Sequence, residues 1–202
     1  MPEGTAPVQV QVQVVTGRDL LPWLDALAEL RIRIFREFPY LYDGSLAYER
    51  QYLQGYARSP LSLIVLALDD DQVVGCSTGL PLVDADPAFR LPFTAAGHDP
   101  ESVFYFGESV LEAAYRGQGL GHRFFDQREA HAARHGFALT TFCAVERPPD
   151  HPRRPESYRP LDAFWRRRGY RRDPDLCASF AWKDIDEISE SDKTLTFWRR
   201  PG

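Results

Sequence analysis

The chain has 202 residues, a formal net charge of -5 at pH 7, 44% hydrophobic residues and 26% charged residues. This length suits one domain with short extensions, and a mildly acidic chain gives no general argument for a nucleic-acid partner. The longest nearly apolar run, residues 61–68, is far too short to span a bilayer, so we expect no membrane segment.

The three cysteines, Cys76, Cys143 and Cys177, are widely spaced and form no C-x-x-C pair. An odd number at such spacing argues against a disulfide framework and indicates a reducing cytoplasm. The absence of a basic and apolar signal segment at the N-terminus agrees with this expectation. All three cysteines fall in predicted strands, where we expect buried and unreactive thiols.

The N-terminal region predicts a short leader followed by one domain. We expect residues 1–7 to form a flexible leader and residues 8–202 to form a single domain. Residues 8–15 alternate valine with glutamine, which is the period-two pattern of a strand with one face in water.

The first predicted helix follows this strand. Asp19 is placed as its N-cap, and Pro39 ends it. Leucines, isoleucine and phenylalanines recur at helical spacing between these positions. Arg31, Arg33 and Arg36 are predicted to lie mostly on the opposite side of the helix.

A second, weaker helix is predicted over about residues 45–58. It carries Tyr48, Tyr52 and Tyr56 at four-residue spacing. Tyrosines spaced in this way more often pack in the core than line a substrate site.

The rest of the chain predicts strands, turns and two further helices. Residues 84–100 contain prolines without a clear period and predict a long loop with room for a short helix. The acidic loop over 184–193 is expected to be solvated. The remaining strands are predicted over 61–68, 73–82, 103–111, 137–145, 176–183 and 194–199. A helix is predicted from the glycine turn described below to about His135, and a short helix over 160–168. Residues 146–159 are predicted to form an irregular loop.

A glycine-rich turn follows the strand over 103–111. Arg116-Gly117-Gln118-Gly119-Leu120-Gly121 opens the next helix. Glycines permit dihedrals and close approaches that a Cβ would forbid, and the first turn of a helix presents unpaired N–H groups. The turn is therefore typical of a phosphate or pyrophosphate site. No Walker loop fits, because no Gly-Lys-Ser/Thr occurs, and in a dinucleotide fingerprint the third glycine would come one residue later.

The pattern Arg116-x-x-Gly119-x-Gly121 resembles the R/Q-x-x-G-x-G/A motif of the GNAT superfamily of N-acetyltransferases. The wider segment 110–121 is similar to that family's V-x-P-x-Y-R-G-x-G-x-G, and residues 163–170 resemble its A-x-x-F-Y-E-K-x-G-F motif. The predicted order β-α-α-β-β-β-α-β-α-β-β matches the family over nearly the whole chain. The resemblance implies an α/β (α+β) fold with a mixed, mostly antiparallel central sheet, flanking helices and splayed central strands.

The resemblance also implies acetyl-CoA as the co-substrate. In the family, main-chain groups of the central strand bind the pantetheine arm, and these belong here to Val110 and Leu111. The last helix contributes Phe164 and Trp165. The residues implied in pyrophosphate binding are Arg116, Gly117, Gln118, Gly119, Leu120, Gly121 and His122.

Catalytic roles follow from the same resemblance. Family members often carry a glutamate in this region that removes a proton, and Glu108 takes that place here, with Glu112 and Glu146 as reserves. A structural carboxylate paired with an arginine is the alternative for Glu108. Many relatives place a tyrosine near the leaving thiolate, but that position holds Trp165. Tyr158 or a water would then be the acid, unless the thiolate needs none.

Two functions stay open from sequence. The first is transfer of an acetyl group from acetyl-CoA to a primary amine of a small molecule or peptide, by direct attack in a ternary complex. The alternative is a GNAT-fold sensor or interaction module that binds acyl-CoA without efficient catalysis, which Trp165 favours. A Glu108 carboxylate in the cleft would support the first, and one buried in a salt bridge elsewhere would support the second. A serine hydrolase fails because no glycine occupies position 111.

The partners are less well defined. The tyrosine stripe and the aromatic loop over 40–42 would suit a small or moderately apolar amine. The arginines of the 146–159 loop would meet phosphates, an acidic acceptor or only solvent. Homodimers are common in the family, but no segment identifies one. His131 and His135 are spaced i,i+4 without a third ligand, so we expect no metal.

Overall fold

The computed structural model of the chain describes residues 10–202. Within this range the strands form one sheet in the order β1-β2-β3-β4-β5-β7-β6, and only the β4–β5 pair is parallel. The strands are β1 (Gln11–Val15), β2 (Leu63–Asp69), β3 (Gln72–Pro81), β4 (Val103–Leu111), β5 (Leu139–Val145), β6 (Arg171–Trp182) and β7 (Ser191–Pro201). The helices are α1 (Leu24–Phe35), α2 (Leu46–Arg58), α3 (Pro87–Ala95), α4 (Leu120–Arg134) and α5 (Asp162–Arg167). This is the predicted α/β fold; the predicted leader and the first residues of the predicted first strand lie outside the described range.

The helices cover both faces of the sheet because each buries one apolar stripe. Leu27 of α1, Leu53 of α2 and Phe93 of α3 pack on one face, against residues such as Ile64 and Tyr105. The other face is covered by α4 and α5, through side chains that include Leu120, Phe124, Phe125, Phe164 and Trp165. No helix within residues 10–202 is long and apolar enough to cross a membrane.

β4 and β5 pair over only three residues each. The pairing runs from Val103 opposite Leu139 to Tyr105 opposite Thr141 and then stops. β4 continues to Leu111 against β3 alone. The edge of β4 over residues 106–111 is therefore open toward β5, which confirms the splayed central strands.

One local prediction is corrected at the start of a helix. Asp19 is not an N-cap, because a 3-10 helix already spans Gly17–Trp23 and Thr16 precedes it. The predicted loop over 84–100 contains the short helix for which the prediction left room. The Asp86 side chain accepts a hydrogen bond from the Ala88 N–H, and Pro87 occupies the first turn. This helix, α3, matters for the site described below.

The cysteines are buried at two positions and exposed at one. Cys76 and Cys143 lie in the core, and burial raises the pKa of the Cys143 thiol to about 12, so it is unreactive at neutral pH. The prediction of a buried thiol is wrong for Cys177, which is exposed. The reason is its place on β6, the last strand of the sheet, where alternate residues face water.

Candidate active site

A β-bulge interrupts the β3–β4 pairing in the middle of β4. Gly107 and Glu108 together oppose the single residue Thr78. The bulge shifts the side-chain alternation, so that Tyr105 and Glu108 both face the side of the sheet that carries α1 and α2. Position 107 must be glycine, because a Cβ there would overlap the Tyr56 hydroxyl and Thr78.

The Glu108 carboxylate lies in a buried cluster with Arg31 of α1. Arg31 Nη1 forms an ion pair with Glu108 Oε1, and Arg31 Nε lies 2.5 Å from Glu49 Oε2. The Tyr52 hydroxyl donates a hydrogen bond of 3.2 Å to Glu108 Oε2. Burial alone would lower the pKa of Arg31, but the two carboxylates outweigh it and hold that pKa above its ordinary value. Glu108 thus has an arginine partner and also a hydroxyl contact.

The prediction that Arg31 lies on the outer side of its helix is wrong. Arg31 follows Leu27 by four residues and precedes Phe35 by four, so it continues the apolar stripe of α1. Its guanidinium lies 4.3 Å from the centroid of the Tyr52 ring and 4.9 Å from that of Phe35. The four-residue spacing of Arg31 from Leu27 and Phe35 could therefore have predicted that it is buried.

A chain of hydroxyl groups continues from Glu108 along α2 and β3. The Tyr52 and Tyr56 hydroxyls are 2.9 Å apart, and Thr78 Oγ1 donates to the Tyr56 hydroxyl at 3.1 Å. The Glu108 N–H donates in turn to Thr78 Oγ1 at 3.2 Å. Burial raises the pKa of Tyr52 and of Tyr56, so both stay protonated at neutral pH.

Arg128 of α4 supports the bulge from the other face of the sheet. Its Nη1 donates to the Glu108 carbonyl at 3.1 Å and to the Thr78 carbonyl at 3.3 Å, and its Nη2 donates to Ser109 Oγ at 2.8 Å. Burial lowers the pKa of Arg128 to about 10. The sequence interpretation missed this residue, although it stands four residues after Phe124 on the apolar stripe of α4.

The glycine turn lies in solvent at the end of the open β4 edge. Gly117 and Gly119 have φ values of 78° and 82°, and Gly119 precedes the first residue of α4. These left-handed conformations explain both glycines, since a Cβ at either position would meet nothing within 4 Å. Within residues 10–202, the N–H groups of Gly117, Gln118 and Gly119 donate no hydrogen bond. The Leu120 side chain is buried, so only its main chain faces the turn.

Arg116 links the turn to the segment that follows α1 and to the strand. Its Nη2 forms an ion pair of 2.8 Å with Glu37, and its Nε donates to the Leu111 carbonyl at 2.9 Å. Val110 and Leu111 pair with β3 on their other side. The Leu111 carbonyl, one of the groups predicted to bind pantetheine, is thus already hydrogen-bonded to Arg116.

The last helix meets the start of α4 through Phe164. Its ring lies 4.9 Å from the His122 ring and approaches Gly121, so the structure brings these three predicted residues together. Trp165 packs instead on Phe142 and Trp198, at centroid distances of 5.0 and 5.1 Å.

Tyr158 lies outside the last helix, which begins only at Asp162. Its ring packs edge-on against Phe38 at 4.7 Å, and the Arg154 guanidinium lies 4.9 Å from its centroid. Burial raises the pKa of Tyr158, which keeps the hydroxyl protonated. Its role as the acid stays a prediction.

The reserve carboxylates and Arg147 of the arginine-rich loop are held in ion pairs. Glu112 pairs with Arg33 and Glu146 with Arg172, both near the surface. Arg147 is neither solvated nor free for phosphate, because it is buried against Asp184 and donates to two main-chain carbonyls of the α1–α2 loop. The acidic loop is therefore not solvated at Asp184, which also lies 3.5 Å from Lys193. Within the described range, no group of three or more His, Cys, Asp or Glu residues could hold a metal ion.

The family assignment rests on a comparison with protein-family models. The model of the acetyltransferase (GNAT) family matches residues 24–170, which include the splayed strands, the glycine turn and α5. The chain belongs to the acetyltransferase (GNAT) family. This GNAT protein is therefore an enzyme of the N-acetyltransferase type, in a family that uses acetyl-CoA and typically modifies amines.

Solved structures of GNAT proteins share this fold at low sequence identity. A ribosomal-protein-alanine N-acetyltransferase from Brucella melitensis is 14% identical, with a TM-score of 0.59 over 95% of this chain and 99% of that chain. A GCN5-related N-acetyltransferase from Kribbella flavida is 19% identical, with a TM-score of 0.57 over 98% of this chain and 100% of that chain. An N-acetyltransferase from Thermoplasma acidophilum, solved in complex with coenzyme A, is 10% identical, with a TM-score of 0.56 over 96% of this chain and 99% of that chain. No curated protein matches the chain.

Proposed function

We propose that this GNAT protein transfers an acetyl group from acetyl-CoA to a primary amine of a small molecule or peptide, by direct attack in a ternary complex. One observation carries the proposal. The open edge of β4 leads from the bulge at Glu108 to a solvent-exposed glycine turn with unpaired N–H groups. A carboxylate and the glycine turn thus stand at the two ends of the open β4 edge.

The residues along this edge and at the turn fit acetyl-CoA. Phosphate oxygens suit the N–H groups of the turn and the positive end of α4, a helix of 15 residues. Arg116 adds a charged donor, and the open β4 edge can receive the pantetheine amides as a neighbouring strand would. Acetyl-CoA supplies the acetyl group already activated as a thioester.

Glu108 is the proposed base. An alkylammonium must lose a proton before its nitrogen can attack a carbonyl carbon. The Tyr52 hydroxyl already donates to Glu108, so it can pass a proton to the carboxylate while it accepts one from the ammonium. The main chain near the bulge would polarise the carbonyl oxygen, and Tyr158 or a water would protonate the leaving thiolate.

A binding module without efficient catalysis is the second candidate. The buried pair of Glu108 with Arg31 favours it, because a carboxylate paired with an arginine is a weaker proton acceptor. Trp165 also favours it, because an indole cannot donate an O–H to the leaving thiolate. The hydroxyl contact through Tyr52 supports catalysis instead. The experiments below separate the two candidates.

The first test concerns binding of acetyl-CoA at the glycine turn. We expect Arg116→Ala to weaken binding roughly ten- to a hundredfold, because a charge-assisted contact to phosphate is lost. We expect Glu37→Gln to tighten it by about two- to fivefold, because Glu37 competes for Arg116 through an exposed pair. Isothermal titration calorimetry with acetyl-CoA measures both changes.

The matched control is Arg33→Ala, which removes an exposed arginine of α1 that pairs with Glu112. It should leave the affinity close to that of the wild type. If Arg116→Ala binds acetyl-CoA as tightly as Arg33→Ala does, the turn is not the phosphate site. If the wild type itself does not bind acetyl-CoA, both candidate functions are lost.

A further inference from the structure

A cavity of about 370 Å³ lies between α2 and α3. Tyr48, Tyr52 and Tyr56 line it on α2, Phe89 lines it on α3, and Tyr105 of β4 also faces it. Tyr105 is the last residue of β4 that pairs with β5, so the cavity reaches the sheet where the two strands separate. A volume of this size is enough for a small organic ligand.

We infer that this cavity binds the acceptor, and that the acceptor is a primary alkylammonium attached to an aromatic ring. The inference rests on the proposed function, because it names the acceptor class of that reaction. It draws on the aromatic walls, on the charge of the buried cluster behind them and on the charge of the rim.

The walls of the cavity suit a flat ring. They contain five aromatic side chains, and four of these form two pairs in geometries that aromatic rings prefer. The Phe89 ring stacks on Tyr105 at 4.7 Å, and Tyr52 meets Tyr56 edge-on at 5.5 Å. A ligand ring would extend this arrangement, whereas a short alkyl chain would leave much of the aromatic surface without contact.

The buried cluster behind the wall suits a cation. Arg31 carries one positive charge and faces the two carboxylates of Glu49 and Glu108, which leaves one formal negative charge in the cluster. Tyr52 both lines the cavity and donates to Glu108, so an ammonium in the cavity would sit beside this excess charge.

The rim adds charge of the same sign. Asp84 accepts a hydrogen bond of 2.6 Å from Ser59, and Asp86 caps α3, so both carboxylates are held in place. Neither forms an ion pair within residues 10–202, and Arg58 is the one basic side chain of the lining. The rim therefore favours entry of a cation over that of an anion.

The test measures binding and turnover of three small molecules that differ in one property each. 2-Phenylethylamine has the ring and the charge, n-butylamine has the charge without the ring, and 3-phenylpropionate has the ring with the opposite charge. We expect 2-phenylethylamine to bind at least about tenfold more tightly than n-butylamine, since ring burial removes more apolar surface from water. 3-Phenylpropionate should show no saturable binding. Ligand-observed NMR measures binding, and thiol release with acetyl-CoA measures turnover.

The variants test the location. Tyr48→Ala removes a half-exposed ring of the wall and should weaken binding of 2-phenylethylamine about fivefold, while Tyr48→Phe should keep it. Leu46→Ala is the control, because Leu46 is an exposed residue of the same helix that does not line the cavity. The affinity of Leu46→Ala for 2-phenylethylamine should match that of the wild type.

The outcomes separate this inference from the proposed function. If n-butylamine or a lysine peptide is acetylated as well as 2-phenylethylamine, and Tyr48→Ala changes neither, the inference is wrong while the transferase proposal stands. If 2-phenylethylamine binds in a Tyr48-dependent way but only other amines are acetylated, the cavity is not the acceptor site and the inference is wrong. If no amine is acetylated, the catalytic proposal fails. Absence of saturable 2-phenylethylamine binding overturns the inference whatever the turnover.

Discussion

Replacing Glu108 with glutamine should lower the rate of amine acetylation by about 10²- to 10⁴-fold, the range that a positioned general base contributes. Glutamine keeps the shape of the side chain and can still accept from the Tyr52 hydroxyl, but it cannot take a proton. Affinity for acetyl-CoA should not change, because Glu108 lies at the bulge and the phosphate turn lies beyond the end of the strand. Thiol release at saturating acetyl-CoA and amine gives kcat, and calorimetry gives the affinity.

Glu49→Gln is the matched control for this experiment. Glu49 is the second carboxylate of the same arginine and is fully buried, but it makes no contact with Tyr52 in the described hydrogen bonds. Both variants remove one negative charge from Arg31, so both should lose stability to a similar degree. Only Glu108→Gln should lose the chemical step. Equal losses of kcat would mean that Glu108 is a structural counterion, as the binding-module candidate requires.

Replacing Arg31 with methionine should lower the free energy of unfolding by about 3–5 kcal/mol, because it leaves two buried carboxylates without their cation. The Arg31 side chain and both carboxylate side chains are almost wholly buried. Methionine keeps most of the volume and the apolar contacts with Phe35 and Tyr52, so the loss reports the charge rather than a cavity. Urea unfolding followed by tryptophan fluorescence measures the change.

Arg33→Met provides the comparison on the same helix. Arg33 pairs with Glu112 at the surface, with side-chain exposures of 51% and 26%, and such pairs are worth about 0–1 kcal/mol. Adding Glu49→Gln to Arg31→Met should recover part of the lost stability, because one of the stranded charges is removed. If Arg31→Met is no more destabilising than Arg33→Met, the Arg31–Glu49–Glu108 cluster does not hold α1 and α2 to β4.

Much of the fold was predictable because it depends on local patterns. The period-two and helical spacings placed every strand, with most bounds within a few residues, and the glycine turn at Arg116 to Gly121 lies between β4 and α4 as predicted. Gly117 and Gly119 were predictable for a physical reason: only glycine takes their left-handed conformations without strain. Helix α3 was less visible because Pro87 and Pro92 mask its helical pattern.

The interior of the site was harder to predict because it depends on contacts between distant residues. Arg31 was predicted to lie on the outer side of its helix and Arg128 was not singled out, since arginine is rarely buried without a partner. Their partners, Glu108 and the bulge carbonyls, come from other parts of the chain. Helical spacing nevertheless places both arginines on apolar stripes, so a charged residue at a core position was a usable signal. The bulge itself, and the buried pairing of Arg147 with Asp184, needed the three-dimensional structure.

The most direct test of the central claim is a two-substrate initial-rate experiment. Thiol release is measured while acetyl-CoA and an amine are both varied, over small-molecule and peptide amines, and the product is identified by mass spectrometry. Direct transfer in a ternary complex predicts intersecting double-reciprocal lines and one acetylated amine for each thiol released. Parallel lines would indicate a covalent acetyl-enzyme. Tight acetyl-CoA binding without amine-stimulated release from any amine would contradict catalysis and leave an acyl-CoA-binding module.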